Sequence, residues 1–390
     1  MYEIKTMNNI AQQGLDELGA RGLILNTESE NPDGLLIRSA KLHDAVFGDR
    51  LLAIARAGVG TDNVPIERCT EAGIAVFNTA GANAEAVKEL AVCALLMSSR
   101  NIIGGITWVN AISGHPDVAA EVEKGKSAYV GPEIRGKTLG VIGLGAIGSR
   151  IANAAEDLGM TVWGYDPYLS VDAAWRLSRK VNHAPDLDTI FRLSDYIIIQ
   201  IHYTEQTHHY LGKAQLAKMK PGVRIINLAR GELVDDDAML SALSVGKVAC
   251  YVTDFPNNRL AGVKGVIATP HLGASTPESE EKCAVMAAQE LGDYLTNGNT
   301  KNSVNLPNVE LEREGAARLC VLHDNVPRML NNFLDLIGEA GLNVEHMINK
   351  ARGEIAYTMI DLGAVPPASI EETIRSMPGV KRVRVLECDD

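Results

Sequence analysis

The stretch Thr138-Leu-Gly-Val-Ile-Gly-Leu-Gly-Ala-Ile-Gly148 decides the fold. It opens as a short apolar strand, passes three glycines in G-x-G-x-x-G spacing (Gly143, Gly145, Gly148), and runs into the helical pattern Ser149–Leu158. The spacing alone is a weak signal, because glycines are common in loops. A strand before it and a helix after it make it a dinucleotide-binding turn. The first glycine permits the tight turn, the second lets backbone approach a pyrophosphate, and the third lets helix pack on strand. The helix N-terminus then offers unpaired N–H groups to the phosphates, and Ala146 and Ile147 lie in that turn. Asp166 closes the next strand, 18 residues past Gly148, near the spacing of about 20 expected for a ribose-binding acid. Its carboxylate accepts from ribose hydroxyls and repels a 2′-phosphate. No arginine follows in Pro167-Tyr168, so NAD is expected rather than NADP.

Working outward, strands are expected at 138–142, 161–165, 196–201, 223–228, 248–253 and 265–268, with helical spacers between most of them. Six such strands match a doubly wound nucleotide fold. The first eighty residues repeat the βα alternation, with buried strands expected at 22–25, 34–37, 51–55 and 74–77. That repetition implies a second parallel sheet. Long helical patterns cover 84–104 and 276–296, the latter with Pro277 in its first turn and Gly298 past its end. Residues 299–314 are polar and read as a linker. The last 75 residues alternate in β-α-β-β-α-β order, the ferredoxin-like split βαβ. The expected fold is therefore α/β, with two Rossmann-like parallel-sheet domains and a C-terminal ferredoxin-like module.

Composition is that of a globular chain: 390 residues, 46% apolar, 22% charged. A net charge of −12 argues against a nucleic-acid partner. It does not forbid an anionic substrate held by a few local arginines. The apolar runs are too short for a membrane span, and the start Met1-Tyr-Glu-Ile-Lys lacks a signal-peptide core. Cys69, Cys93, Cys250, Cys283, Cys320 and Cys388 form no C-x-x-C pair, and small buried core residues are expected. A reducing cytoplasm suits such usage. No metal site is expected.

Two further motifs sit just past expected strand ends, where α/β sheets place ligands. They are Asn227-Leu-Ala-Arg-Gly-Glu232 and Thr269-Pro-His-Leu-Gly-Ala-Ser-Thr276. Together with Gly143–Gly148 and Asp166 they resemble the D-isomer-specific 2-hydroxyacid dehydrogenases, over nearly the whole chain. The Pro-His-Leu-Gly-Ala-Ser-Thr run is similar to the branch acting on 3-phosphoglycerate, and the C-terminal module is similar to an ACT regulatory domain. The resemblance implies a discontinuous substrate domain (1–86 and 275–300), an NAD-binding domain (87–274) and an ACT domain (315–390). It implies oxidation of 3-phosphoglycerate with NAD in serine synthesis. The alternatives are another D-2-hydroxyacid dehydrogenase, such as a hydroxypyruvate or glyoxylate reductase, and an NAD-sensing corepressor-like binding protein.

Hydride transfer at C2 of a 2-hydroxy acid needs an acid/base and a cation on the carboxylate and carbonyl. His271 is the expected acid/base, since imidazole titrates near neutrality. The eight other histidines are read as loop or core residues, or in one case an effector ligand. Arg230 is the expected carboxylate clamp, because guanidinium matches a carboxylate bidentately. The bland reading is an ion pair with Glu232 or with Asp235–Asp237. In the family a glutamate past the Asp-Phe-Pro segment pairs with the histidine and stabilises its protonated form. Here Thr253-Asp-Phe-Pro-Asn-Asn-Arg259 puts Asn258 in that place. Either Asp254 supplies the carboxylate, although the family aspartate faces the nicotinamide amide, or a His–Arg pair works alone. Asn258 also implies a lower pH optimum than in a glutamate-bearing relative. By resemblance Arg38, Ser39, Arg56 and Asn83 contact the phosphoglycerate. Thr79, Leu228, Ala229, Asp254, Gly273 and Ala274 contact the cofactor. His323, Asn325 and Asn343 hold a serine effector between chains of a homo-oligomer, a tetramer in the family.

Overall fold

A computed structural model describes residues 1–387, without the side chain at 172. Cys388 lies outside the described residues. Two compact units form, residues 1–83 with 277–390, and residues 84–276.

The first unit opens with β1 (Glu3–Met7), α1 (Gln12–Ala20), β2 (Ile24–Leu25), β3 (Gly34–Ile37), β4 (Ala53–Arg56), α2 (Ile66–Glu71) and β5 (Ala75–Asn78). These strands pair in parallel in the order β2-β1-β3-β4-β5, the flavodoxin-like arrangement. The four strands expected here become five. β1 is an inner strand, paired on both sides, yet its sequence Glu-Ile-Lys-Thr-Met reads as polar. Only Ile4 is fully buried, while Glu3 accepts the Asn26 amide and the Ser29 hydroxyl and Lys5 donates to the Ser29 carbonyl. The strand expected at 22–25 shrinks to two exposed residues on the sheet edge.

The second unit begins with α3 (Ala84–Ser99), α4 (Ile102–Ala111) and α5 (Val118–Gly125). The single helix expected over 84–104 is two helices bent by 68°. The Ser98 and Ser99 hydroxyls return to the Leu95 carbonyl, and Asn101 starts the next helix by capping Gly104 N–H. The nucleotide-type fold follows as β6 (Thr138–Ile142), α6 (Ala146–Asp157), β7 (Thr161–Tyr165), α7 (Val171–Arg176), β8 (Asn182–His183), α8 (Leu187–Leu193) and β9 (Tyr196–Ile199). It continues through α9 (Lys213–Lys218), β10 (Val223–Asn227), α10 (Asp236–Ser244), β11 (Val248–Thr253) and β12 (Val266–Ala268). The order β12-β11-β10-β9-β6-β7-β8 is the doubly wound one, extended by a seventh strand. Six strands were expected; β8 is too short to show a pattern. The central strand β9 is Tyr-Ile-Ile-Ile, buried along its whole length as a two-faced parallel strand requires.

The chain then returns to the first unit through α11 (Pro277–Asn297), β13 (Ala317–Asp324), α12 (Met329–Glu339), β14 (Val344–Arg352), β15 (Ile355–Leu362), α13 (Ala368–Arg375) and β16 (Val380–Glu387). The last four strands pair antiparallel in the order β14-β15-β13-β16, a ferredoxin-like sheet. One face packs on α12 and α13. The other contributes Cys320, Leu322, Tyr357, Met359 and Leu386 to a core shared with α11 and the N-terminal sheet.

Residues 299–314, expected as a linker, form a pinned strap. Val304 N–H donates to the Val76 carbonyl, and Asn305 bonds Val76 N–H, the Ile74 carbonyl and the Thr70 hydroxyl. The strap covers the free edge of β5, a duty that polar side chains perform well. Of the cysteines, Cys69, Cys250, Cys283 and Cys320 are buried as expected, whereas Cys93 is exposed. Among the described residues no single helix is long and apolar enough to cross a membrane.

Candidate active site

In the second unit, each glycine of the turn has a separate structural reason. Gly143 holds a φ of 90°, where L side chains are strained. A Cβ on Gly148 would overlap the Gly143 carbonyl, so the third glycine lets α6 sit against β6. A Cβ on Gly145 would meet nothing within 4 Å, leaving open space above the turn. Gly145 also starts α6 with no side-chain cap, so the first N–H groups of the helix have no side chain of their own. An open concavity over an uncapped helix N-terminus fits a pyrophosphate. Asp166 stands at the end of β7, its carboxylate accepting Leu144 N–H at 2.9 Å and Tyr168 N–H at 2.9 Å. Asp166 is thus tied to the glycine turn itself.

Two strands over, β10 and β11 end in register, Asn227 opposite Thr253. Asn227 is fully buried and holds the following bend: its amide donates to the Arg230 carbonyl at 2.8 Å and its oxygen accepts Ala229 N–H at 3.1 Å. That fixes the Leu228-Ala229-Arg230 segment past the strand end.

Beyond β11, Asp254 is 1% exposed. Its Oδ2 accepts Gly273 N–H at 3.1 Å, and its Oδ1 is buried with no hydrogen-bond partner among the described residues. Burial pushes this carboxyl above the ordinary aspartate range, while Gly273 N–H and the charges of His271 and Arg230 pull it back. His271 is anchored to the same residue, its backbone N–H donating to the Asp254 carbonyl at 3.0 Å. The His271 backbone has a φ of 46°, left-handed for a non-glycine residue. Such strain collects at functional sites. The ring packs against Phe255 with centroids 4.8 Å apart. Asn258, in the place of the family glutamate, is exposed on the turn after Phe255-Pro256-Asn257. The structure thus brings the glycine turn, Asp166, Arg230, Asp254 and His271 to the carboxyl edge of one sheet.

In the first unit, Ile37, Arg56 and Asn78 are register partners at the carboxyl ends of β3, β4 and β5. Arg56 Nε donates to the Arg38 carbonyl at 3.0 Å, tying the two arginine loops together. The Asn8 side chain receives Ser39 N–H and Ala40 N–H. Arg38 is half-exposed and pairs with Glu280 at 2.5 Å. Ser39 is exposed, and Asn83 is half-buried with its Oδ1 unpartnered. Thr79 is fully buried, its hydroxyl against the Cys283 thiol. Sequence reasoning missed Asn8 and Glu280. A glutamate in the first turn of a helix reads as a simple dipole partner, so nothing in its local pattern ties it to Arg38.

In the C-terminal module, His323 is 2% exposed and both ring nitrogens are engaged, Nδ1 with the Asp324 carbonyl and Nε2 with the Thr358 hydroxyl, each at 2.8 Å. Burial lowers its basicity below that of ordinary histidine. The imidazole expected to face an effector is held in the interior. Asn325 and Asn343 are exposed, the latter bonded to Glu345.

The doubly wound sheet and the glycine turn have the form of a dinucleotide-binding domain, with His271 and Arg230 beyond its strand ends. Residues 92–273 match the NAD binding domain of the D-isomer specific 2-hydroxyacid dehydrogenases. The D-3-phosphoglycerate dehydrogenase of Methanocaldococcus jannaschii is 33% identical over 345 residues, 85% of this chain and 62% of that protein. Its namesake from Escherichia coli is 30% identical over 370 residues, 90% of this chain and 86% of that one. The chain therefore belongs to the D-isomer specific 2-hydroxyacid dehydrogenase family. It spans about three fifths of the length of the archaeal relative. Among solved structures, the NAD+-bound 3-phosphoglycerate dehydrogenase of Entamoeba histolytica superposes with a TM-score of 0.60, at 24% identity, over 78% of this chain and 98% of that one. At that identity the likeness speaks for the fold.

Proposed function

We propose that the chain oxidises 3-phospho-D-glycerate to 3-phosphohydroxypyruvate with NAD, the first step of serine synthesis. The observation that carries the reading is the strained His271 anchored to the buried Asp254 beyond one strand end, with Arg230 beyond the next. In the proposed reaction His271 takes the C2 hydroxyl proton, and Arg230 holds the carboxylate and polarises the forming carbonyl. Bound NAD supplies the hydride acceptor. Gly143, Gly145 and Gly148 with Ala146 and Ile147 would receive its pyrophosphate, and Asp166 its ribose. Leu228, Ala229, Gly273 and Ala274 would flank it. Arg38 and Arg56, with Ser39 and Asn83, are the proposed phosphate ligands of the first unit.

Asp254 is the proposed partner of the His271 imidazolium in place of the family glutamate, its unpartnered Oδ1 being the free acceptor. The test is the pH–rate profile of kcat/KM for Asp254→Asn and Asn258→Glu. Losing the carboxylate should lower activity about 10- to 100-fold, part of the roughly 10²–10⁴ that a positioned acid/base supplies, and move the acidic limb to lower pH. Asn258→Glu should move that limb up. An Asp254→Asn profile of unchanged shape would remove the assignment.

The exposed apolar side chains of α4, namely Ile102, Ile103, Ile106 and Val109, support a homo-oligomer. A tetramer and a cytoplasmic location are proposed from the family alone. Serine as effector rests on the exposed amides of Asn325 and Asn343, since His323 is engaged internally.

A further inference from the structure

Helix α11 buries a carboxyl that the proposed reaction does not use. Glu290 is 9% exposed. The Asn302 amide donates to its Oε1 at 2.8 Å, while Oε2 is buried with no hydrogen-bond partner among the described residues. Asn302 adopts a left-handed φ of 62° in the turn that makes this contact. Glu290 lines a pocket of about 340 Å³ walled by the end of α1, the middle of α11 and the strap after it.

The charges on that wall decide what can enter. Arg21 is held by Glu17 at 2.8 Å, and Lys301 by Glu310 at 3.0 Å. Asp293, one turn along α11 from Glu290, accepts the Asn297 and Asn299 amides through one oxygen. Both cations of the lining already have carboxylate partners, and no cation pairs with Glu290 among the described residues. The balance disfavours an anion. A bound metal ion is disfavoured too: among the described residues no three His, Cys, Asp or Glu converge to hold one. Burial pushes the Glu290 carboxyl up to about 8, so without a ligand it is a neutral acid at neutral pH.

We propose that this pocket binds a small molecule through a primary ammonium group, paired with the Glu290 carboxyl, with Asp293 on the same wall. On binding, the carboxyl gives its proton to the buffer and the carboxylate pairs with the ammonium. The site lies outside the proposed catalytic groups, and its test does not depend on turnover.

The test is titration calorimetry of the full chain with ethylammonium chloride, against ethanol and sodium chloride as controls, in two buffers of different ionisation heat. Saturable binding of the amine alone is expected. At pH 7 it should release about 0.9 proton, the protonated share of a group titrating near 8. Affinity should rise by up to about tenfold per pH unit between pH 6 and 8. Glu290→Gln should weaken binding at least about tenfold and abolish the proton release. Absence of saturable amine binding, equal binding of ethanol, binding without proton release, or full binding by Glu290→Gln would each overturn the proposal. The proton count is read on the unmodified chain, so poor folding of the variant does not shelter the claim.

Discussion

Glu280 is the residue whose role the geometry most changes. It grips Arg38, a proposed phosphate ligand, with both side chains about two-fifths exposed. A pair that open contributes about 0.2–1 kcal/mol. If Glu280 competes with the incoming phosphate, Glu280→Gln should lower KM for 3-phosphoglycerate about two- to fivefold and leave kcat nearly unchanged. A raised KM would mean that Glu280 orients Arg38. The residues closest to the proposed chemistry were legible from sequence because each stands in a short motif at a strand end. Asp254 was legible only as one of two alternatives. Its burial and its unpartnered Oδ1 favour it, and neither property has a one-dimensional trace. His323 shows the reverse. Its place in the chain suggested a ligand, and only the fold shows Thr358 and the Asp324 carbonyl using both of its nitrogens.

At the scale of elements, apolar periodicity found the strands that are buried on both faces and failed where polar side chains serve structure. β1 was missed because its charged residues bond to a neighbouring loop. The strap was read as a linker because its polarity is spent on the edge of β5. Asn305 alone satisfies Val76 N–H and the Ile74 carbonyl, both within the strap contact. Removing one partner leaves buried polar groups unmet at about 1–3 kcal/mol each. Asn305→Ala should therefore lower unfolding free energy by about 2–4 kcal/mol in urea titration. A loss below about 0.5 kcal/mol would show the strap to be loosely held.

For the whole molecule, the C-terminal module has its own antiparallel sheet and also packs on the end of α11. Arg318 is fully buried, paired with Asp361 at 2.6 Å and donating to the Asn297 carbonyl. Arg384 donates to the Tyr294 and Leu295 carbonyls, and the Tyr357 hydroxyl to that of Gly298. Two arginines and a tyrosine of the module thus satisfy the open C-terminal end of α11, where the helix dipole favours cations. Such contacts join residues far apart in the chain, so spacing alone could not show them. In sequence, the same helix begins one residue after the Thr269–Thr276 motif that carries His271.

The central proposal for the whole molecule is that the chain selects a phosphorylated 2-hydroxy acid through Arg38 and Arg56. The most direct measurement compares kcat/KM for NADH formation from 3-phospho-D-glycerate and from D-glycerate, with NAD saturating. Two charge-assisted contacts to a phosphate, at about 1.5–3 kcal/mol each, predict a preference of at least about a hundredfold for the phosphorylated acid. Equal use of the two acids, or no NADH from either, would contradict it.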